Sequence, residues 1–294
     1  MQEIAELMDR LAVRDGETTT VVPGVSLHKT SHHIPRTPLL YQQGVIIVGQ
    51  GTKKVHLADT VYVYDPDHYL VLSVPLPAEC EAVVLPGEPL LSLKVDIDLR
   101  LLGSVIEQME EPGQSPCAKL ACRHQGLTLA RADAAFKETV LRLLRALASP
   151  RESRVLGRGL MRELLFRIMC GENAASLQAL AMKNTGISRI DKALRQIHCN
   201  FNQPCNVEQL AGTVNMSTSA FHRAFKDVTS LSPIQYLKKV RLNKAKSLLV
   251  EDGMRASDAA RLVGYESVSQ FNREFKRYFG ASPRNLPEIH DRQN

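Results

Sequence analysis

Nowhere in the 294 residues is there an apolar run of about 18, the length a membrane-spanning helix needs, and no basic start followed by an apolar stretch opens the chain. The expectation is a protein with no membrane segment that works in the cytoplasm. The six cysteines, at 80, 117, 122, 170, 199 and 205, form no Cys-x-x-Cys pair and no zinc-finger spacing. That pattern fits reduced thiols and argues against a metal centre built from them. Acidic residues are scarce in one region. Residues 187–294 hold 17 Lys and Arg against 10 Asp and Glu, which leaves 20 against 21 for residues 1–186. A basic end joined to a nearly neutral remainder is the electrostatic footprint of a nucleic-acid reader with a partner domain doing something else.

The informative stretch is a repeat. Ser217-x-x-x-Phe221-x-Arg223-x-Phe225-Lys226, then Ser232-Pro233, returns as Ser267-x-x-x-Phe271-x-Arg273-x-Phe275-Lys276, then Ser282-Pro283, every matched residue displaced by 50. At about 100° per residue each copy forms a helix with its phenylalanines on one face. Ser219, His222, Arg223 and Lys226 take the opposite arc in the first copy. Ser269, Asn272, Arg273 and Lys276 take it in the second. These side chains carry hydrogen-bond donors suited to base edges and phosphates. A single polar arc reads most simply as a solvated face, but one repeated with the same spacing points to a duplicated reader.

Each copy follows a shorter helix and a turn. Asn206 with Gln209 starts the first and Asn215-Met216 turn the chain; Ser257 starts the second, Gly264-Tyr265 turn it, and Ser267 with Gln270 forms a second capping pair. The small Ala211 and Ala260 let the paired helices approach. Between the units Ser232-Pro233 opens a connector helix to about Leu249, whose inner face is read as Ile234, Leu237, Ala245, Leu248 and Leu249. At 1.5 Å per residue that rod is roughly 27 Å long, a spacer for two helices about one DNA turn apart. Arg241 lies in the inner arc and reads as a structural guanidinium satisfying a carboxylate or helix-end carbonyls.

With Ala260, Val263-Gly264-Tyr265, Ser267, Phe271, Arg273, Phe275-Lys276 and Gly280-x-Ser282-Pro283 in view, residues 187–288 resemble the AraC/XylS family of bacterial transcription regulators. The resemblance implies a two-headed reader of double-stranded promoter DNA, acting on RNA polymerase and associated with the bacterial nucleoid. It places base-facing positions at Ser219, His222 and Arg223 in the first unit and at Val268, Ser269, Gln270, Asn272 and Arg273 in the second. One departure is Ser230-Leu231, where the family usually has glycine, so the first recognition helix is expected to end less sharply.

The N-terminal half reads differently. A short helix within residues 1–20 gives way from Val21 to strands: 44–48, 53–57, 60–64, 69–74, 82–85 and 90–95, separated by Pro, Gly and Asp. Short strands without intervening helices predict an antiparallel barrel or sandwich able to hold one small ligand. His33-x-Pro35, Gly49-Gln50-Gly51-x-Lys53, Tyr64, Tyr69-Leu70 and Ser73-x-x-Leu76-Pro77 resemble the cupin-like N-terminal domain of the YqhC-like, aldehyde-responsive AraC subgroup. That resemblance implies a sensor but does not identify its ligand. Tyr41, Tyr62, Tyr64 and Cys80 are the candidate effector-binding residues. After Asp98 helices are expected at 99–109, beginning after Asp133, and on a stretch carrying Leu156, Leu160, Leu164, Leu165 and Ile168. The resemblance favours a homodimer contact there, while a leucine stripe alone reads as core.

The fold expected is therefore α+β and multidomain: a cupin-like antiparallel β-barrel or sandwich with helices over 1–172, a linker at 173–186, and an all-α double helix-turn-helix domain over 187–290. The function expected is an AraC-type transcription regulator, read as an activator, controlled by a small molecule such as an aldehyde or other electrophile. It is not expected to be an enzyme, and no cofactor or metal is predicted. His28, His32, His33, His56 and His68 include no His-x-His pair of the kind metal-binding cupins use, and residues 1–60 lack the reactive cysteines of the DNA-repairing members of the family. Cys80, Cys117 and Cys122 read as core thiols ahead of covalent sensors. A constitutive DNA-binding protein with a structural barrel is the alternative, and a cupin-type enzyme fused to the reader a more distant one.

Overall fold

The computed structural model describes residues 2–85, 87–109, 125–171, 174–182 and 185–286. Helix α1 (Gln2–Leu11) leads into β1 (Gly16–Thr19), β2 (Val25–Thr30), β3 (Ile34–Tyr41), β4 (Gly44–Gln50), β5 (Thr52–Leu57), β6 (Thr60–Tyr64), β7 (His68–Leu72), β8 (Leu76–Val83) and β9 (Leu90–Val95). With β10 (Leu127–Arg131) these form two antiparallel sheets. One runs β1-β2-β9-β4-β7-β10 and the other β3-β8-β5-β6. The expected sandwich is present. Strand β4 is buried from Gly44 through Gly49 because α1 lies on it. A side chain at Gly49 would meet the Met8 sulfur at 2.5 Å.

Several strands lie outside the sequence reading. The polar stretch around His28, His32 and His33, to which no strand is assigned above, supplies β2 and β3. Prolines 35 and 38 are tolerated because β3 is an edge strand with a register shift between Ile34 and Thr37. Strand β8 starts at Leu76 rather than Ala82, running through Pro77, and β10 pairs with β7 from a stretch with no strand assigned.

Helices α2 (Leu99–Met109), α3 (Ala134–Leu147) and α4 (Pro150–Met169) follow the expected positions. Asp133 caps α3 by accepting from the Phe136 amide at 2.7 Å. The leucine stripe of α4 is core at Leu160, Leu164 and Leu165, whereas Leu156 is exposed. The stretch read as a linker carries a helix, α5 (Ala174–Ala181), whose Leu177 and Leu180 are buried. It packs against α2, α4 and α6 (Gly186–Cys199). A short apolar helix between polar segments offers too few turns for its period to show. The Cys117 and Cys122 pair and the loop at 110–116 lie outside the described residues.

The C-terminal helices are α7 (Val207–Thr213), α8 (Thr218–Thr229), α9 (Pro233–Val250), α10 (Ala256–Leu262) and α11 (Val268–Phe279). They form two helix-turn-helix units, α7 with α8 and α10 with α11, joined by α9. The first unit shares one continuous core with the sandwich, extending to Tyr236, Leu237 and Val240. The second has its own core around Ala259, Ala260, Phe271, Phe275 and Leu249. Two hydrogen bonds seat the first unit and the start of α9 on the sandwich: the Gly126 amide donates to the Val228 carbonyl at 2.9 Å, and the Tyr236 hydroxyl of α9 donates to the Pro75 carbonyl at 2.9 Å.

Candidate nucleic-acid interface

The two recognition helices, α8 and α11, are built alike. Ser217 accepts from the Ala220 amide and Ser267 from the Gln270 amide, each at 3.3 Å, capping the helix starts. The Phe221 and Phe225 rings lie 5.5 Å apart at 57°, and those of Phe271 and Phe275 5.3 Å apart at 53°. All four rings are fully buried. With the rings fixed inward, helical geometry sends the opposite arc outward. Ser219, His222, Arg223 and Lys226 are exposed on α8, and Ser269, Gln270, Asn272, Arg273 and Lys276 on α11, with Val268 half-buried at its start.

The turns share one backbone pattern but fill its left-handed position differently. Met216 donates to Ala211 in the first unit and Tyr265 to Ala260 in the second, five residues apart in both. The left-handed position of that turn is Asn215 (φ 54) in one and Gly264 (φ 86) in the other. Only the second turn demands glycine for space, since a Cβ at Gly264 would sit 2.4 Å from the Asn202 carbonyl oxygen. Residues outside the units hold the first turn: Lys192 donates to the Thr213 carbonyl at 3.0 Å and Arg189 to that of Asn215 at 3.5 Å.

Four local expectations need correction. Ser230 adopts a left-handed conformation (φ 60) and donates to the Lys226 carbonyl, the same ending that Gly280 (φ 76) gives α11. The first recognition helix therefore ends as sharply as the second, helped by Thr229, whose hydroxyl accepts from Leu231 and donates to Phe225. Ser257 does not cap α10, which starts at Ala256 after Arg255 without a side-chain cap. The Gln270 side chain turns to Glu274 instead of completing a capping pair with Ser267. On the connector, Ile234 is exposed and Tyr236 and Val240 take the inward places, because α9 is covered by the sandwich at one end and the second unit at the other.

Arg241 is structural, as its place in the inner arc implied. Its guanidinium donates to the Phe201, Gln203 and Gly264 carbonyls at 2.7 to 3.0 Å, tying α9 to the second turn. A second network escaped the sequence reading. Glu274 accepts from Lys238 of α9 at 3.0 Å, from the Tyr265 hydroxyl at 2.9 Å and from Gln270 at 3.1 Å. Burial alone would raise its pKa, but these bonds outweigh burial and hold it below the usual range. The counterpart of Glu274 in the first unit is Ala224, so no periodic signal marked it. By contrast, Arg223, Lys226, Arg273 and Lys276 form no ion pair among the described residues. Such free, exposed cations on matched helix faces can neutralise phosphates or donate to base edges.

Of the four effector candidates, three converge inside the sandwich. Tyr41, Tyr64 and Cys80 are buried together, and proximity to Cys80 adds to the burial that pushes both tyrosines' pKa well above normal. Tyr62 is set apart, its hydroxyl 3.5 Å from Gln125. None of the four lines a surface groove of about 630 Å³ bordered by Val22, Ile97, Leu101, Arg154, Arg158 and Met161. The histidines are dispersed. His32, His56 and His68 lie beside Asp15, Glu81 and Asp65 respectively, while burial and Lys53 hold His28 down to about 4. Among the described residues no cluster of three metal-ligating side chains occurs, and no helix is long and apolar enough to cross a membrane.

Comparison with known proteins gives this geometry a context. RhaS, an HTH-type transcriptional activator of Klebsiella pneumoniae, is 31% identical over 131 residues, 44% of this chain and 46% of that protein. AlkR, an HTH-type transcriptional regulator of Acinetobacter baylyi, is 36% identical over 95 residues, covering 32% of this chain and 31% of AlkR. The chain thus spans less than half the length of these curated relatives. In overall fold it is similar to ToxT of Vibrio cholerae, crystallised with an unsaturated fatty acid, at a TM-score of 0.61 and 11% identity over 89% of this chain and 94% of that one. A helix-turn-helix domain model matches residues 210–288. Because the model of the AraC-type transcriptional regulator N-terminus also matches, over residues 21–176 and so over more than half its length, the chain belongs to the AraC-type transcriptional regulators.

Proposed function

We propose that the chain is a sequence-specific DNA-binding regulator, an activator acting with RNA polymerase, whose output is set by a small molecule in the sandwich. Residues 1–172 are the sensing part and 187–290 the reading part. The observation that carries this is the pair of matched, exposed helix faces, their arginines and lysines free of ion pairs among the described residues, that α8 and α11 present on either side of an 18-residue connector. In this reading Arg223 and Arg273 donate to guanine, Asn272 and Gln270 read adenine, and Lys226 and Lys276 hold phosphates, with Ser219, His222, Val268 and Ser269 at the same surface. The effector class, aldehyde or other, the homodimer and the bacterial cytoplasm belong to the same proposal.

The test is a mobility-shift titration of the full chain on promoter fragments enriched from its own genome. Arg273→Ala is expected to cost about 1–3 kcal/mol on the selected site and to relax preference at one base pair, and Arg223→Ala to do the same in the other half of the site. Equal weakening on every sequence would make each arginine a phosphate anchor. Absence of any sequence preference would defeat the proposal.

A further inference from the structure

Strand β5 alternates, sending Lys54 and His56 outward to Glu81 and Lys53 inward between the sheets. Lys53 stands directly across from Tyr64 on β6, and its neighbour on the other side in register is Ala82 of β8. Its ammonium reaches over to β9 in the opposite sheet, where the Ser92 hydroxyl lies 3.4 Å away. Ser92 is only 2% exposed, so the charge is carried into the interior. Among the described residues no carboxylate lies within ion-pair distance of it.

The hydroxyls beside it are also unanswered. Tyr41 and Tyr64, 4% and 0% exposed, have no well-aligned hydrogen-bond partner for either OH; the polar groups they meet are each other and the Cys80 thiol. A buried hydroxyl left unpaired costs about 1–3 kcal/mol, and an unpaired buried ammonium several. Burial lowers the Lys53 pKa, the response expected of an ammonium without a counter-ion. Every group left open here can donate a hydrogen bond, and one carries positive charge. The missing partner is therefore an anionic acceptor. The inward face of β8 next to it is made of the small residues Ala78, Cys80 and Ala82, which suits an apolar body behind the charge.

We propose that the sandwich interior binds a small organic carboxylate, its head group on Lys53 and the Tyr41 and Tyr64 hydroxyls and its apolar part against β8. The inference rests on the regulator reading and names the ligand class for its sensing part.

Hexanoate is the probe, with hexanamide and 1-hexanol as neutral matches, titrated into the full chain by calorimetry and thermal unfolding. Hexanoate is expected to bind saturably and raise Tm, and the neutral compounds to bind about tenfold or more weakly. Lys53→Met should abolish that preference, and the double change of Tyr41 and Tyr64 to Phe should reduce it several-fold. Without ligand, Lys53→Met should melt at or above the wild type, since it replaces an unpaired buried charge by an apolar side chain of similar length. Equal binding of hexanoate and hexanamide, undiminished hexanoate binding by Lys53→Met, or a lowered melting point for that variant would each overturn the proposal, the last by making Lys53 a structural residue. Promoter binding by the ligand-free protein is measured in parallel, so failure of the regulator reading shows there and failure of the carboxylate site in the titration.

Discussion

The first helix-turn-helix unit buries Phe221 and Phe225, together with Tyr236 of α9, in a core that runs unbroken into the sandwich, while the second closes its own core with α9 around Phe271, Phe275 and Leu249. Ring geometry, serine caps, exposed arcs and left-handed helix endings are nearly superimposable between the two. The repeat has thus specified each reader locally, and the surroundings have diverged around it. The first reader is seated on the sandwich by Gly126 and Tyr236; the second is tied to the rod by Arg241 and Glu274. A signal arising in the sandwich meets the first reader across a shared core, and reaches the second through α9 and the smaller contact of α11 with β3.

The contrast can be broken most forcefully at the second turn. Gly264→Ala combines a positive φ with a backbone clash and should cost about 3 kcal/mol, whereas Asn215→Gly at the matching place should change stability by less than about 1 kcal/mol. Urea unfolding of the two variants provides the comparison. Next in size is the seat of the first reader. A Cβ at Gly126 would lie 2.7 Å from the Val228 oxygen and 2.6 Å from Val74, so Gly126→Ala should loosen that unit by about 2 kcal/mol. Hydrogen exchange should rise in α8 and leave α11 unchanged.

Glu274→Ala should cost about 1 kcal/mol of stability confined to the second unit and relax base preference where Gln270 reads, a cost the first unit escapes with Ala224 in place. The smallest effect concerns pH. With the Tyr236 proton given to Pro75, the His198 Nε2–H donates to the Tyr236 oxygen at 2.8 Å, and burial, with Lys244 nearby, lowers the His198 pKa to about 4. The unfolded chain then binds the extra proton between about pH 6.5 and 4, so stability contributed by this group is complete above that window and is lost as pH falls through it. Unfolding midpoints at pH 7 and pH 5 should differ less in His198→Gln than in the wild type.

The exposure of the two polar arcs was legible in the sequence because a helix converts spacing directly into faces. Phe-x-x-x-Phe fixes what is inside, and the residues between them are exposed by geometry alone. Arg241 was legible for the same reason, an arginine in an inner arc needing acceptors. What stayed hidden depends on contacts distant in sequence. Pro35 and Pro38 argue against a strand until β3 is known to be an edge. Ser230 was read as a poor helix end, but Thr229 supplies the bonds that let it turn left-handed. Tyr41, Tyr64 and Cys80 were singled out one by one, and only the register of β3, β5, β6 and β8 brings Lys53 among them.

The unbroken core also governs how the molecule can be divided. A fragment starting near residue 186 would retain the core of the second reader and lose only the contact of α11 with β3, yet strip from the first the cover over Val228 and leave the Tyr236 hydroxyl without Pro75. Such a fragment is one sound reader and one with an open apolar flank. Any study of the isolated C-terminal half would consequently misjudge how stable, and how soluble, its first recognition helix is in the intact chain.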